Sequence, residues 1–333
     1  MAELDELFEL RNLFWVGAYQ AAINEGLTLT HLTAEHKRVE RDTFVYRAYV
    51  ARGEHALVLQ EVKHTAAVPL QAVRCLASYL SGKDNREIAL ATIKEWLSDP
   101  QSARDETIKI VAGTIYYHEE NYDEAIKALH DSNSLEGRAL LLQAYLQISR
   151  VDLAQKELGV MQQMDDDSTV TQLATAWIDL FLGGDKYEEA FFIFNELCEK
   201  WNATPLLLNG MAVCNLSTIE KKDSAQNAER HLLEALEKNP NEVDTLINLI
   251  TLYQHVPKSN DVVNRYSSQV KSRAPDHLWV KQMSLLEQSF ERNAARFSAT
   301  HSFFTSFSFV LSILFSSSTP LSSNPFKNTN QSI

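Results

Sequence analysis

Apolar residues recur along this chain at steps of three and four, and the clearest run lies between Asp165 and Cys214. Leu173, Ala176, Trp177, Leu180 and Phe181 form a stripe whose spacing places them on one face of an α-helix. In front of it, Asp165, Asp166, Asp167 and Ser168 offer N-cap oxygens and negative charge for a helix start. Behind it, Gly183-Gly184 stops the helix, because glycine takes the left-handed conformation at little cost. A second helix is expected from near Tyr187, with Ala190, Phe194 and Leu197 on its inner face. A third follows Pro205 and carries Leu206, Leu207 and Leu208.

Helix, tight turn, helix, tight turn predicts an all-α, tetratricopeptide-like helical-repeat solenoid. In that pattern an aromatic opens the second helix, an alanine follows after three residues and a large apolar residue four later. Tyr187, Ala190 and Phe194 fit, as do Tyr122, Ala125 and Leu129, with Gly113 and Tyr116 at the matching distance upstream. Ala228, Leu232, Ala235 and Pro240 reproduce the second half-unit, and Tyr19 and Ala22 share the aromatic-to-alanine offset. The same grammar predicts hairpins over Leu4 to Ala34, Arg41 to Lys63, Leu70 to Leu97, Ala103 to His130 and Ser134 to Met164. It continues after the central stretch over Gly210 to Pro240 and Val243 to Pro275. A longer turn is expected from Ile219 to Asn227.

Composition sharpens this picture. The chain has 333 residues with 10 glycines and 8 prolines, and no proline between Pro100 and Pro205, which favours helical hairpins over a turn-rich β fold. The net charge of −13 argues against nucleic acid, whose phosphates need a basic patch, and against an anionic membrane surface. Cys75, Cys198 and Cys214 have unrelated spacings and are expected as buried thiols in a reducing compartment. The acidic N-terminus lacks the basic segment of a secretory signal. Residues 1–296 are expected to form the solenoid, and 297–333 a divergent, serine- and phenylalanine-rich tail without a defined fold. Its run from Phe303 to Phe315 is shorter than the roughly 20 apolar residues of a membrane helix.

No catalytic or cofactor motif is present: there is no GxGxxG, Walker A, HExxH or CxxC. His118, Glu119 and Glu120 fall where a solvated inter-helix turn is expected, and Asp165 to Asp167 lack the spacing of a calcium loop. The five tryptophans read as packing residues. The chain is expected to be non-enzymatic, with no cofactor and no metal. A solenoid binds through the surface lined by the first helix of each unit. The repeat register points Arg47, Thr114, Tyr117, Gln172, Thr175, Asp179 and Asn209 toward that surface, as candidate partner-binding residues.

A resemblance narrows the reading. TVTQLATAW at Thr169 to Trp177, followed by Gly183-Gly184 and the segment to Phe194, is similar to the epsilon subunit family of coatomer. TPLLLNG at Thr204 to Gly210, DELF at Asp5 to Phe8, GAYQAAINE at Gly17 to Glu25 and ERD at Glu40 to Asp42 agree with it. So do YRAY at Tyr46 to Tyr49, LQAVR at Leu70 to Arg74 and NRY at Asn264 to Tyr266. The resemblance implies a bracelet-like, non-catalytic subunit of the heteroheptameric vesicle coat that clasps and stabilises the C-terminal domain of the alpha subunit. It implies Golgi-to-ER retrograde and intra-Golgi transport. Contact with Golgi membranes would be peripheral and recruitment indirect, through an Arf-family GTPase. The alternative is a stand-alone co-chaperone that captures peptide C-termini, which would need lysine, arginine and asparagine at fixed inward positions. A tail-anchored membrane protein would need Phe303 to Phe315 to insert.

Overall fold

In a computed structural model, residues 5–298 apart from 222 and 257 are described. They form α-helices in antiparallel hairpins, joined by short turns and two brief 3-10 segments, and no strand occurs among them. The helices are α1 (Phe8–Trp15), α2 (Tyr19–Thr28), α3 (Glu35–Ala51), α4 (His55–Glu61), α5 (Val68–Ser81) and α6 (Arg86–Ser98). Then come α7 (Glu106–His118), α8 (Tyr122–Leu129), α9 (Leu135–Gln147), α10 (Val151–Asp165), α11 (Thr169–Leu182) and α12 (Lys186–Trp201). The last five are α13 (Pro205–Ser217), α14 (Ser224–Lys238), α15 (Val243–His255), α16 (Asn260–Arg273) and α17 (Leu278–Ser298). The chain groups into two compact units that divide after Leu207, within α13. The predicted tail starts two residues too early, because α17 runs to Ser298, and its remainder from 299 lies outside the described residues. No described helix is long and apolar enough to cross a membrane.

The repeat positions behave as their spacing predicts. Ala22, Ala125, Leu129, Ala190, Phe194, Ala228, Leu232 and Ala235 are all buried. Gly113 shows why one of these sites must stay small: a Cβ there would fall 2.6 Å from Leu129, itself fully enclosed. Unit 1 carries its core between successive hairpins, from Val50, Val58, Val73 and Leu76 through Ile108, Ile115 and Tyr116 to Leu140, Leu141 and Ala144. Unit 2 builds a separate core from Ala212, Leu232, Leu246, Ile250 and Val270, with Trp279 of α17 packed against it.

Four of the hairpin turns share one backbone solution. After α1, α3, α7 and α9 a residue with positive φ is followed by an N–H that reaches back five residues. The bonds run from Ala18 to Leu13, Glu54 to Tyr49, Asn121 to Tyr116 and Arg150 to Tyr145, at 2.8 to 3.0 Å. This is a Schellman-type helix end. Gly17 and Gly53 supply the positive φ in two turns, but Glu120 (φ 59) and Ser149 (φ 60) supply it in the others.

Some helix boundaries differ from expectation. Asp165 is the last residue of α10 and Asp166 its C-cap, so the acidic run closes one helix rather than capping the next. Ser168 occupies the N-cap position of α11 without a side-chain cap bond. The turn expected over Ile219 to Asn227 is shorter, because α14 begins at Ser224. Cys75 and Cys214 are buried and burial pushes the Cys75 thiol up to about 11, but Cys198 is only half-buried.

Unit 1 has two features that local patterning does not foretell. Its first hairpin meets its last helices. The Thr204 hydroxyl donates to the Val16 carbonyl at 2.6 Å and also accepts from the Leu207 N–H at 3.3 Å, capping α13 while tying it to α1. Phe8 and Trp201 pack beside that bond with ring centroids 6.0 Å apart. Between the helices, Arg47 of α3 forms a two-armed ion pair with Glu136 of α9, one arm at 3.1 Å, with both side chains buried. The guanidinium also lies over Phe14 and Phe44, at 4.6 and 5.3 Å from their ring centres.

Two stability predictions follow from these geometries. Arg47→Met strands the Glu136 carboxylate and is expected to lower unfolding free energy by about 3–5 kcal/mol in denaturant titration. Arg47→Met with Glu136→Leu is expected to recover most of that loss, because two apolar groups need no partner. Ser149→Gly relieves a left-handed backbone costing about 1–2 kcal/mol, less the extra chain entropy of glycine. The expected result is a small rise in melting temperature. A fall would show that Ser149 is not strained.

Candidate partner-binding surface

The first helices of successive unit 1 hairpins pack side by side, α3 with α5, α5 with α7, α7 with α9 and α9 with α11, as the layer that repeat register makes the inner wall, and Arg47, Thr114, Tyr117, Gln172, Thr175 and Asp179 stand on α3, α7 and α11. Most are consumed within the chain. Arg47 is 6% exposed and held by Glu136. Thr114 is buried and donates to the Ile110 carbonyl at 2.8 Å. Tyr117 is buried, accepts from Gln147 Nε2 at 2.6 Å and packs edge-on against Tyr122. Asp179 is 5% exposed, and burial raises its carboxyl above the usual range against the pull of Lys186, whose Nζ lies 3.8 Å away. Thr175 is half-buried and returns its hydroxyl to the Thr171 carbonyl. Gln172 is half-buried, and its Oε1 has no hydrogen-bond partner.

Asn209 belongs to unit 2, within a buried polar network. Its Nδ2 donates to Thr245 Oγ1 at 2.7 Å, and its Oδ1 accepts from Asn248 at 2.9 Å. Gln172, Thr175 and Asp179 share α11 and Thr114 and Tyr117 share α7, so the candidates are spread over α3, α7, α11 and α13. His118 is not the solvated turn residue the sequence suggests. It ends α7 partly buried, 6.2 Å from the Tyr79 ring, and burial followed by the Arg86 charge lowers its pKa. Its neighbour Glu119 accepts from the Tyr79 hydroxyl at 2.5 Å.

The inner wall also holds a small apolar cleft, among residues whose sequence pattern reads as packing. It lies between α1, α9 and α11 and is lined by Trp15, Glu136, Leu140, Gln143, Leu173 and Trp177. Its empty space, including solvent at the mouth, is about 280 Å³. The available signal was Gln143, a polar residue inside the apolar run from Leu140 to Leu146.

A family model for the coatomer epsilon subunit matches residues 3–298. The chain belongs to the coatomer epsilon subunit family. It is 45% identical over 292 residues to coatomer subunit epsilon-1 of Arabidopsis thaliana, across 88% of this chain and 97% of that protein. The Dictyostelium discoideum epsilon subunit is 39% identical over 300 residues, covering 88% of this chain and 99% of its own. Membership in this family makes the chain a coatomer component. Solved tetratricopeptide structures share the fold at low identity. One from Parabacteroides merdae has a TM-score of 0.53 at 12% identity, over 80% of this chain and 96% of that one. The Cut9–Hcn1 hetero-tetramer has a TM-score of 0.52 at 13% identity, over 81% of this chain and 52% of the other.

Unit 2 carries the strongest electrostatic anomaly. Asp244, at the start of α15, is buried, and burial and then the Glu242 charge raise its carboxyl well above the usual range. The nearest base, His277 Nε2, is 3.9 Å away and is itself shifted down by burial and by Lys281. An acid whose folded pKa is raised contributes stability in acid and loses it as pH rises from the ordinary value near 4. Asp244→Asn is therefore expected to melt above the parent chain at pH 7.5, with the difference closing as pH falls toward about 4. A gap independent of pH would show that Asp244 is not the titrating group.

Proposed function

We propose that this chain is a non-catalytic structural subunit of the coatomer vesicle coat that clasps and stabilises the C-terminal domain of the alpha subunit. The observation that carries the reading is the family match across residues 3–298, which spans both helical units and almost the full length of the relatives. A helical solenoid supports this role because it offers a long, preformed wall and little chemistry. In this reading the chain assembles with the other subunits of the heteroheptamer and works on the cytosolic face of Golgi membranes and coated vesicles. It reaches those membranes peripherally, through the whole coat and an Arf-family GTPase, in Golgi-to-ER retrograde and intra-Golgi transport. Nucleic acid is not a partner of so acidic a chain.

Among the candidate residues, Gln172 and Thr175 make direct contact with the partner, since they are the half-buried members of the set. Arg47, Thr114, Tyr117, Asp179 and Asn209 contribute by holding the wall in shape. A carboxylate clamp of the co-chaperone type is less well supported, because Arg47 is committed to Glu136. Residues 1–296 carry the binding function, and the tail from 297 is dispensable for it.

Co-expression with the coatomer alpha C-terminal domain tests the reading, using this chain and a version ending at Arg296. Both are expected to co-elute with the alpha domain as a one-to-one complex. Absence of binding by both at micromolar concentration overturns the assignment of partner. Binding by the shortened chain alone overturns the claim that the tail is neutral.

A further inference from the structure

α17 presents a leucine face to solvent. Leu278, Gln282, Leu285, Leu286 and Ser289 recur at steps that bring them to one side of the helix, and none of them is charged. Leu285 is 64% exposed and Leu286 is 52% exposed. Single exposed leucines are ordinary, but two together on an uncharged helix side form a surface suited to packing. The other sides of α17 are occupied. Trp279 and Val280 pack against the unit 2 core, and Glu287, on the side opposite the leucines, pairs with Lys271 of α16 at 2.9 Å. The repeat order accounts for the uncovered face. α1, α3, α5, α7, α9, α11 and α15 each pack against the helix that follows. α17 holds the same place in the order, and no helix follows it among the described residues.

We propose that the chain's own apolar run, Phe303–Phe315, is the second arm of this last hairpin and folds back along α17 onto Leu285 and Leu286. Residues 299–333 continue directly from the end of α17. Residues 299–302 give a turn as long as 256–259, which joins α15 to α16. The run itself is as long as α9 and α15, at 13 residues each. As a helix it reaches back about 20 Å, and Leu286 stands about 18 Å before the end of α17, so chain reversal sets Leu314 and Phe315 opposite Leu286. Phe303, Phe307, Val310, Leu311 and Leu314 recur at steps of three and four, while Thr305, Ser308 and Ser312 fall on the other side. Alone, so short a helix is marginal, because its stability comes from packing an apolar face, and α17 offers that face. The run carries no charge, and neither does the leucine side of α17, so no ion is buried when they meet. A second copy or a partner helix would compete with a segment tethered by 299–302, whose effective concentration is about millimolar.

The test compares hydrogen exchange in the full chain with that in a chain stopped after Ser298. In the full chain, Phe303–Phe315 is expected to exchange more slowly than an unfolded peptide of the same sequence. Residues 282–289 are expected to exchange about tenfold more slowly in the full chain than in the shortened one, since burying one leucine is worth at least that factor. Cysteine pairs check the direction of the arm. Leu286→Cys with Leu314→Cys is expected to form an intramolecular disulfide under mild oxidation, and Leu286→Cys with Phe303→Cys is not, because a disulfide tolerates only a short separation. A run that exchanges at the unfolded rate, equal exchange of 282–289 in the two chains, or equal cross-linking of the two pairs overturns the proposal. Protection of 282–289 that rises with protein concentration assigns the face to a second copy and also overturns it. Protection that appears only when the alpha C-terminal domain is added assigns the face to that partner, with the same consequence. The exchange measurement needs neither a substituted chain nor a bound partner, so its result is independent of the function proposed above.

Discussion

The buried pair between Arg47 and Glu136 sets the terms for the inner wall of unit 1. Removing a guanidinium and a carboxylate from water is costly, and their attraction offsets that cost only when geometry is good and the remaining hydrogen-bond capacity is met. The two-armed contact supplies the geometry, and the Phe14 and Phe44 rings add cation–π attraction to the guanidinium. Neither partner can leave without stranding the other, so α3 and α9 keep a fixed register although their sequences are 89 positions apart. The cleft beside this pair inherits that rigidity, because Glu136 lines it directly.

Helical solenoids are close to one-dimensional: each repeat touches its neighbours and little else. Unit 1 departs from this. The Thr204 hydroxyl bridges 188 positions to the Val16 carbonyl, and Phe8 meets Trp201 at the same seam. Thr204 is well suited to the task, because one side chain caps α13 with its lone pair and donates its proton to α1. The backbone at Gly17 completes the fit. Its φ of +80 and the approach of Leu206 Cβ, 3.3 Å from where a Cβ would lie, leave little space for a side chain. A solenoid tied in this way gains contacts of high sequence separation, which slow folding but resist fraying of the ends.

The hairpin grammar was legible because it rests on local sterics: alanine and glycine where helices approach, aromatics beside them, glycine pairs at turns. Ala190 and Phe194 needed no tertiary knowledge to place. Glu120 and Ser149 were not legible, since a left-handed residue in an otherwise ordinary turn announces itself only when it is glycine. The acidic run at Asp165 misled because carboxylates fit a helix start, yet α10 continues into it before the chain turns. His118 misled for a similar reason: its polar neighbours suggested solvent, while Tyr79 and Arg86 arrive from α5 and α6. For the candidate binding residues, register gave the helices on which they stand, α3, α7, α11 and α13. It did not reveal that Arg47, Tyr117 and Asp179 would find partners inside the chain, which depends on contacts between separate hairpins.

Unit 1 and unit 2 handle buried polar groups differently. In unit 2 the amides of Asn209 and Asn248 and the Thr245 hydroxyl bond to one another. Such a network fixes helix register and makes little demand on a partner. In unit 1, Gln143, Gln172 and the Trp15 indole stand in an apolar wall with unpaired atoms. A stability argument alone would replace them with leucine or phenylalanine at the same volume, as it would not replace Asn209. Polar atoms that cost stability in the free chain can be retained for the bound state, where a complementary group turns the same atoms into discrimination against the wrong partner.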